Sequence, residues 1–176
     1  MKKMILVFFS VILLLVLCIY CWNYYTKYYI NTSEKEVKAF LEEFSESKIE
    51  LLSFEQIDDT NIWLAHFQLN EKKFNYAQFR EGWNHKVKFI YLKTYPNVTY
   101  DELNTNKGKY GVIFANNLDE NIVKIKLQSQ LKNFETEIDT STSKIFIRAI
   151  KLPENVENTA PAIFYFYDKN GNLYDY

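Results

Sequence analysis

Few side chains in this sequence can do chemistry, and they are dispersed. His66 and His85 are the two histidines, the residues most readily used as a base near neutral pH. A general base needs an acid, a nucleophile or a substrate proton within hydrogen-bond reach. Neither histidine lies in a motif that supplies one, so each reads as a surface or strand-edge histidine. The paired acids Asp58-Asp59 and Asp119-Glu120 could serve a glycosidase only if they faced each other across a cleft, about 5–9.5 Å apart. Neighbours in one turn point to solvent instead, and both pairs read as turn residues. Asp168-Lys169-Asn170-Gly171-Asn172 opens like a calcium loop, with oxygen ligands at alternate positions. Leu173 then stands where that loop has its glycine, and a hairpin turn accounts for the motif without a metal. Gly-x-Ser-x-Gly, His-Glu-x-x-His and glycine-rich phosphate loops do not occur. The expectation is therefore no catalytic, cofactor-binding or metal-ligating residues and no cofactor.

Cysteine usage narrows the chemistry further. Cys18 and Cys21 are the only cysteines, and both lie in an apolar segment near the start. Residues 33–176 have no thiol, which excludes a cysteine nucleophile, a zinc-thiolate site and a disulfide within them. Three positions apart, the two share a helix face. An intermolecular disulfide or palmitoylation would use that placement, but two small apolar residues in a membrane helix explain it as well.

Residues 4–22, MILVFFSVILLLVLCIYCW, carry no charge. At about 1.5 Å per residue they reach about 28 Å, close to the hydrocarbon thickness of a bilayer. A helix in a soluble core would keep a polar face, and this segment has none. Lys2 and Lys3 precede it and favour a cytoplasmic N-terminus with the remainder translocated. Tyr20, Trp22, Tyr24, Tyr25, Tyr28 and Tyr29 follow, in the manner of an interfacial aromatic belt. A cleaved signal peptide would have a shorter apolar core and a small-residue cleavage site. A lipidated cysteine is disfavoured because Leu17 and Tyr20 precede the two thiols. The expected division is a cytoplasmic tip at 1–3, a transmembrane anchor at 4–22, a juxtamembrane aromatic stretch at 23–32 and a globular domain at 33–176.

Within the domain, Ser33 followed by Glu36 reads as a capping box. Val37, Phe40, Leu41 and Phe44 then form one helical stripe, predicting a helix over 33–47. Residues 49–57 and 62–69 read as a hairpin around Asp58-Asp59-Thr60-Asn61. In the second strand Trp63, Ala65, Phe67 and Leu69 are the expected buried face. Residues 74–83 read as one or two helical turns, with Phe79 and Trp83 packed together. Residues 85–95 read as a strand with Val87, Phe89 and Tyr91 on one face, broken by Pro96-Asn97. Further strands are expected at 110–115, 122–128, 144–152, 163–167 and 173–176, the last two joined by the Asp168–Gly171 turn. The pattern predicts an α+β chain: a transmembrane helix, then a helix-decorated antiparallel β-sheet or β-sandwich domain.

Charge excludes one class of partner. Of 21 basic residues, only Lys2, Lys3 and Lys27 lie in the first thirty, leaving 18 against 22 acidic residues and a net charge of −4. Such a domain lacks the basic footprint of a nucleic-acid binder, so no nucleic-acid partner is expected. Asn31-Thr32-Ser33 and Asn97-Val98-Thr99 match the glycosylation pattern, which matters only in a eukaryotic secretory pathway. The many Lys, Asn, Ile and Phe residues, with little Ala, instead suggest an AT-rich bacterial genome. The Lys-led anchor, aromatic flank and small strand-rich exodomain with Gly108-Lys109-Tyr110 and Tyr167-Asp168-Lys169-Asn170-Gly171 resemble uncharacterised single-pass membrane proteins of low-GC Gram-positive bacteria. That likeness is one of layout and carries no functional residue. The resulting expectation is a membrane-anchored extracytoplasmic domain, non-enzymatic, partnered by the bilayer through residues 4–22 and by a membrane or envelope protein. The alternatives are a cell-envelope hydrolase using His66 or His85 as base, or a small-ligand or sugar-binding module built on exposed Trp63, Trp83 or tyrosines.

Overall fold

The computed structural model describes residues 2–69, 73–116, 118–131 and 133–175. Met1 in the expected tip, Asn117 in the expected 116–121 turn and Tyr176 at the end of the last expected strand lie outside them. The chain is α+β. A long N-terminal helix, α1 (Lys2–Lys27), precedes a domain of antiparallel strands and one short helix, α2 (Glu34–Ser45). From Val7 to Lys27 α1 is apolar, exposed and long enough to cross a bilayer.

α2 starts as its capping signal requires. The Ser33 hydroxyl accepts the Glu36 amide at 3.4 Å. The Glu36 carboxylate departs from the expected box. It accepts the backbone N–H and the side-chain amide of Asn31, at 3.2 and 2.6 Å, and so ties the helix start to the preceding strand. Val37 and Leu41 are fully buried, Phe40 packs beside them, and Phe44 lies at the rim against Phe89.

The strands form three sheets. The first contains β1 (Ile30–Asn31), β2 (Ile49–Gln56), β3 (Ile62–Leu69), β4 (Lys73–Glu81) and β5 (Lys86–Thr94), in the order β1-β5-β4-β3-β2. The second has β6 (Val98–Thr105), β7 (Gly108–Ala115) and β10 (Phe146–Lys151), with β7 central. The third is β12-β11-β8-β9, from β8 (Lys124–Ser129), β9 (Glu135–Asp139), β11 (Ala162–Tyr167) and β12 (Leu173–Tyr174). The apolar clusters show the layering. Ala65, Phe67, Ala77, Phe79 and Val87 of the first sheet meet α2. Its opposite face, with Ile62, Leu64 and Tyr76, meets Leu103, Tyr110, Val112 and Phe114 of the second. The other face of the second sheet, through Ile113 and Ala115, meets Ile125, Leu127 and Ile138 of the third. The order is therefore helix, sheet, sheet, sheet.

This stacking corrects three expectations. Residues 74–83 are not helical turns. Residues 74–81 belong to β4, and Asn75 to Phe79 are all buried because that strand is covered on both faces. Phe79 sits in the core whereas Trp83 is 62% exposed, so the two do not pack together as expected. In β3 the burial is two-sided: Ile62, Leu64 and His66 are as buried as Ala65 and Phe67. In β5, a register shift at Ile90 breaks the alternation. Val87 and Phe89 face α2, while Tyr91 turns to the second sheet. Three strands escaped the sequence pattern: the two-residue β1, placed in the expected juxtamembrane stretch, then β6 and the short β9.

Candidate functional site

His66 is not on the surface. It is 1% exposed, on the β3 face that meets the second sheet, and its Nε2 lies 2.5 Å from the Tyr95 hydroxyl. Burial pushes the imidazole pKa down to about 4 and the Tyr95 phenol up, so at neutral pH both groups are uncharged. The hydrogen bond between them is therefore one between two neutral groups. His66 and Tyr95 pack with Phe74, Tyr76 and Phe114, rings that close this part of the core to substrate.

His85 is the opposite case. It has φ +56° in the turn between β4 and β5, and its side chain is 89% exposed. Its Nδ1 lies 3.0 Å from Glu81, whose other carboxylate oxygen accepts the Trp63 indole N–H at 2.8 Å and the Gln56 amide at 3.3 Å. Glu81 thus anchors Trp63, which stacks on Phe54 as part of the packing under α2.

The acidic motifs are spent on turns. Asp58 and Asp59 have φ +39° and +52° at the β2–β3 turn. Asp119 accepts the Asn121 backbone and side-chain N–H groups at 2.8 and 2.9 Å. Asp168 accepts the Asn170 and Asn172 amides, each at 2.8 Å, with Gly171 at φ +81° completing the hairpin. Among the described residues, no group of three or more His, Cys, Asp or Glu is placed to hold a metal ion. Cys18 and Cys21 are free and exposed on α1.

The residues the structure does bring together lie at a neck between α1 and the domain. Residues 23–27 continue α1, and Ile30–Asn31 pair antiparallel with Val87 and Lys86 as β1. The helix therefore enters the first sheet within a few residues. The β4–β5 turn, Gly82 to His85, rests against its end. The Trp83 ring stacks on Tyr24 with centroids 4.8 Å apart and meets Tyr25 edge-on at 5.5 Å. Tyr24 stacks in turn on Tyr28 at 4.5 Å. The Trp83 backbone N–H donates to the Tyr24 hydroxyl at 2.5 Å, and the Asn84 amide donates to the Tyr28 carbonyl at 3.0 Å. Lys88 lies over the Tyr28 ring, 4.9 Å from its centroid.

Gly82 makes this approach possible. A Cβ there would collide with the Tyr24 hydroxyl and fall 2.7 Å from Tyr28 Cδ1. Ring pairs of this kind contribute about 0.5–1.5 kcal/mol each, and a cation over a ring about 0.5–1 kcal/mol at exposed sites. Several acting together restrain the domain relative to the helix. The tyrosines were legible in the sequence as an aromatic run after the apolar segment. Trp83 as their partner was not, because it arrives from far along the chain. Comparison with protein-family models, with curated proteins and with solved structures returns no match to this chain.

Proposed function

We propose that the protein is a membrane-anchored interaction domain: α1 spans the cytoplasmic membrane with its N-terminus inside, and the β-domain binds a membrane or envelope partner outside. The neck is the observation that carries this reading. An exposed apolar helix alone would fit a leader sequence equally well. Here Tyr24, Tyr25 and Tyr28 of the helix end are packed against Trp83 of the domain. Removing the helix would strip the partners from an already exposed tryptophan. That favours an anchor retained in the working protein. Lys2 and Lys3 before the apolar run support the orientation. Tethering raises the domain's effective concentration near other membrane proteins, so weak contacts become useful.

A binding role fits the dispersal of the reactive groups: His66 is sealed in the core, His85 lies on an open turn, and the acids are committed to turns. The test has three parts, the first on isolated membranes and the other two in intact cells. The protein should resist carbonate extraction at its full length, and added protease should degrade the domain without cell lysis. Photo-crosslinkers placed on the domain should give discrete adducts. A protein trimmed of its first thirty residues, a protected domain, or no adduct under any growth condition would each count against the proposal.

A further inference from the structure

The angle between α1 and the domain is occupied by a groove of about 570 Å³, and its chemistry changes along its length. Val16, Ile19 and Tyr20 line one end, on the membrane side. Lys27 and Lys88 line the other, on the domain side. Val16, Tyr20, Asn23 and Lys27 recur at steps of four, three and four, so one face of α1 forms the floor. Between Val16 and Lys27 the helix climbs about 16 Å, roughly the distance from within the hydrocarbon to the headgroup layer. Among the described residues, neither Lys27 nor Lys88 is ion-paired. Lys88 is positioned over Tyr28.

We infer that this groove holds one anionic phospholipid, its acyl chain along Val16 and Ile19 and its phosphate between the ammonium groups of Lys27 and Lys88. Two features select that occupant. Apolar and cationic linings follow one another in the order in which a lipid presents tail and phosphate. Two lysines with no carboxylate partner among the described residues also favour a headgroup with net negative charge over a zwitterionic one. The net charge of −4 on the remainder of the chain argues against general adhesion to an anionic surface, so the contact is local to the neck. The inference rests on the anchored reading above, since a chain outside the bilayer would not present the groove to lipid.

The test uses the full chain. It is purified in detergent with equimolar phosphatidylglycerol and phosphatidylcholine, and retained lipid is counted by native mass spectrometry. A lysine near an anionic headgroup is worth about fivefold, so a preference of roughly five- to thirtyfold for phosphatidylglycerol is expected. Lys27→Gln/Lys88→Gln should bring it close to one. Lys27→Arg/Lys88→Arg should preserve it, as should the control Lys35→Gln/Lys38→Gln on α2. Equal retention of the two lipids, or unchanged preference in the glutamine pair, overturns the groove. Vesicle flotation separates the two proposals. A chain that floats with phosphatidylcholine vesicles but shows no headgroup preference refutes only the groove, whereas one that floats with no vesicle refutes the anchor and the groove together.

Discussion

Acid should destabilise this fold through His66 in a window that can be stated in advance. The imidazole has an ordinary pKa of 6.5 and a folded value of about 4, because burial disfavours its charged form. Between those values the unfolded chain holds a proton that the folded one does not, so stability falls as pH falls. Above pH 6.5 both states are neutral and the effect vanishes. Below about pH 4 both are protonated and it levels off. The gap of about 2.5 units, at 1.36 kcal/mol per unit, gives about 3 kcal/mol lost across the window. That is a large share of the roughly 5–15 kcal/mol stability of a typical domain. Urea unfolding of the full chain in detergent micelles, followed by tryptophan fluorescence at steps from pH 7.5 to 4, measures it. His66→Gln keeps an acceptor for the Tyr95 hydroxyl but cannot titrate. Its curve should be flatter than that of the native protein by up to about 1.4 kcal/mol per pH unit. Acid-sensitive carboxylates are common to both proteins and cancel in the difference. Parallel curves between pH 6.5 and 4 would refute the buried neutral imidazole.

Three further outcomes are expected. Gly82→Val should displace Tyr24 and Tyr28, open the neck and speed tryptic cleavage after Lys27 by roughly tenfold (a loss of about 1.4 kcal/mol of local protection) without unfolding the β-domain; equal cleavage rates would show that the neck does not restrain the helix. Tyr76→Phe should stabilise the domain by roughly 1 kcal/mol in urea melts, because the Tyr76 hydroxyl is buried without a hydrogen-bond partner among the described residues; a loss of stability would reveal a partner for it. Glu102→Gln should cost roughly 2 kcal/mol at pH 7, since the carboxylate accepts the Thr159 hydroxyl at 2.7 Å and the Ala160 amide at 2.8 Å and lies 3.3 Å from Lys109. Burial alone would raise the pKa of Glu102, but these donors together hold it below 4.5. Its contribution is therefore present above that value and lost as pH falls through the lower folded one, and the variant's stability curve should be flatter below pH 4.5.

The neck also bears on how such a domain could act. A tether rich in Gly and Ser would let it sweep a wide volume. Here the helix passes into β1, and Trp83 packs on the helix end. On the anchored reading proposed above, the domain would be presented in a restricted range of orientations, with the β4–β5 turn facing the bilayer.

Local chemistry by itself determined the parts of this protein whose free energy is settled within a few residues. The uncharged run at 4–22 has no polar face and forms a helix, apolar and exposed from Val7 onward. Ser33 caps α2, and its stripe has one possible face. Asp58-Asp59-Thr60-Asn61 and Asp168–Gly171 close hairpins through their own side chains and backbone. Only the tertiary structure decided the rest. Residues 74–81 carry apolar side chains at both strand and helix spacing, because β4 lies between α2 and the second sheet and has no solvated face to impose alternation. β6 and β9 are too polar to announce themselves and are strands because their neighbours supply hydrogen bonds. His66 was assigned to solvent by a rule that assumes one dry face. The second sheet covers the other face and places Tyr95 against it. The joining of Tyr24 to Trp83 depends on where a distant hairpin comes to rest, and no short-range preference encodes that.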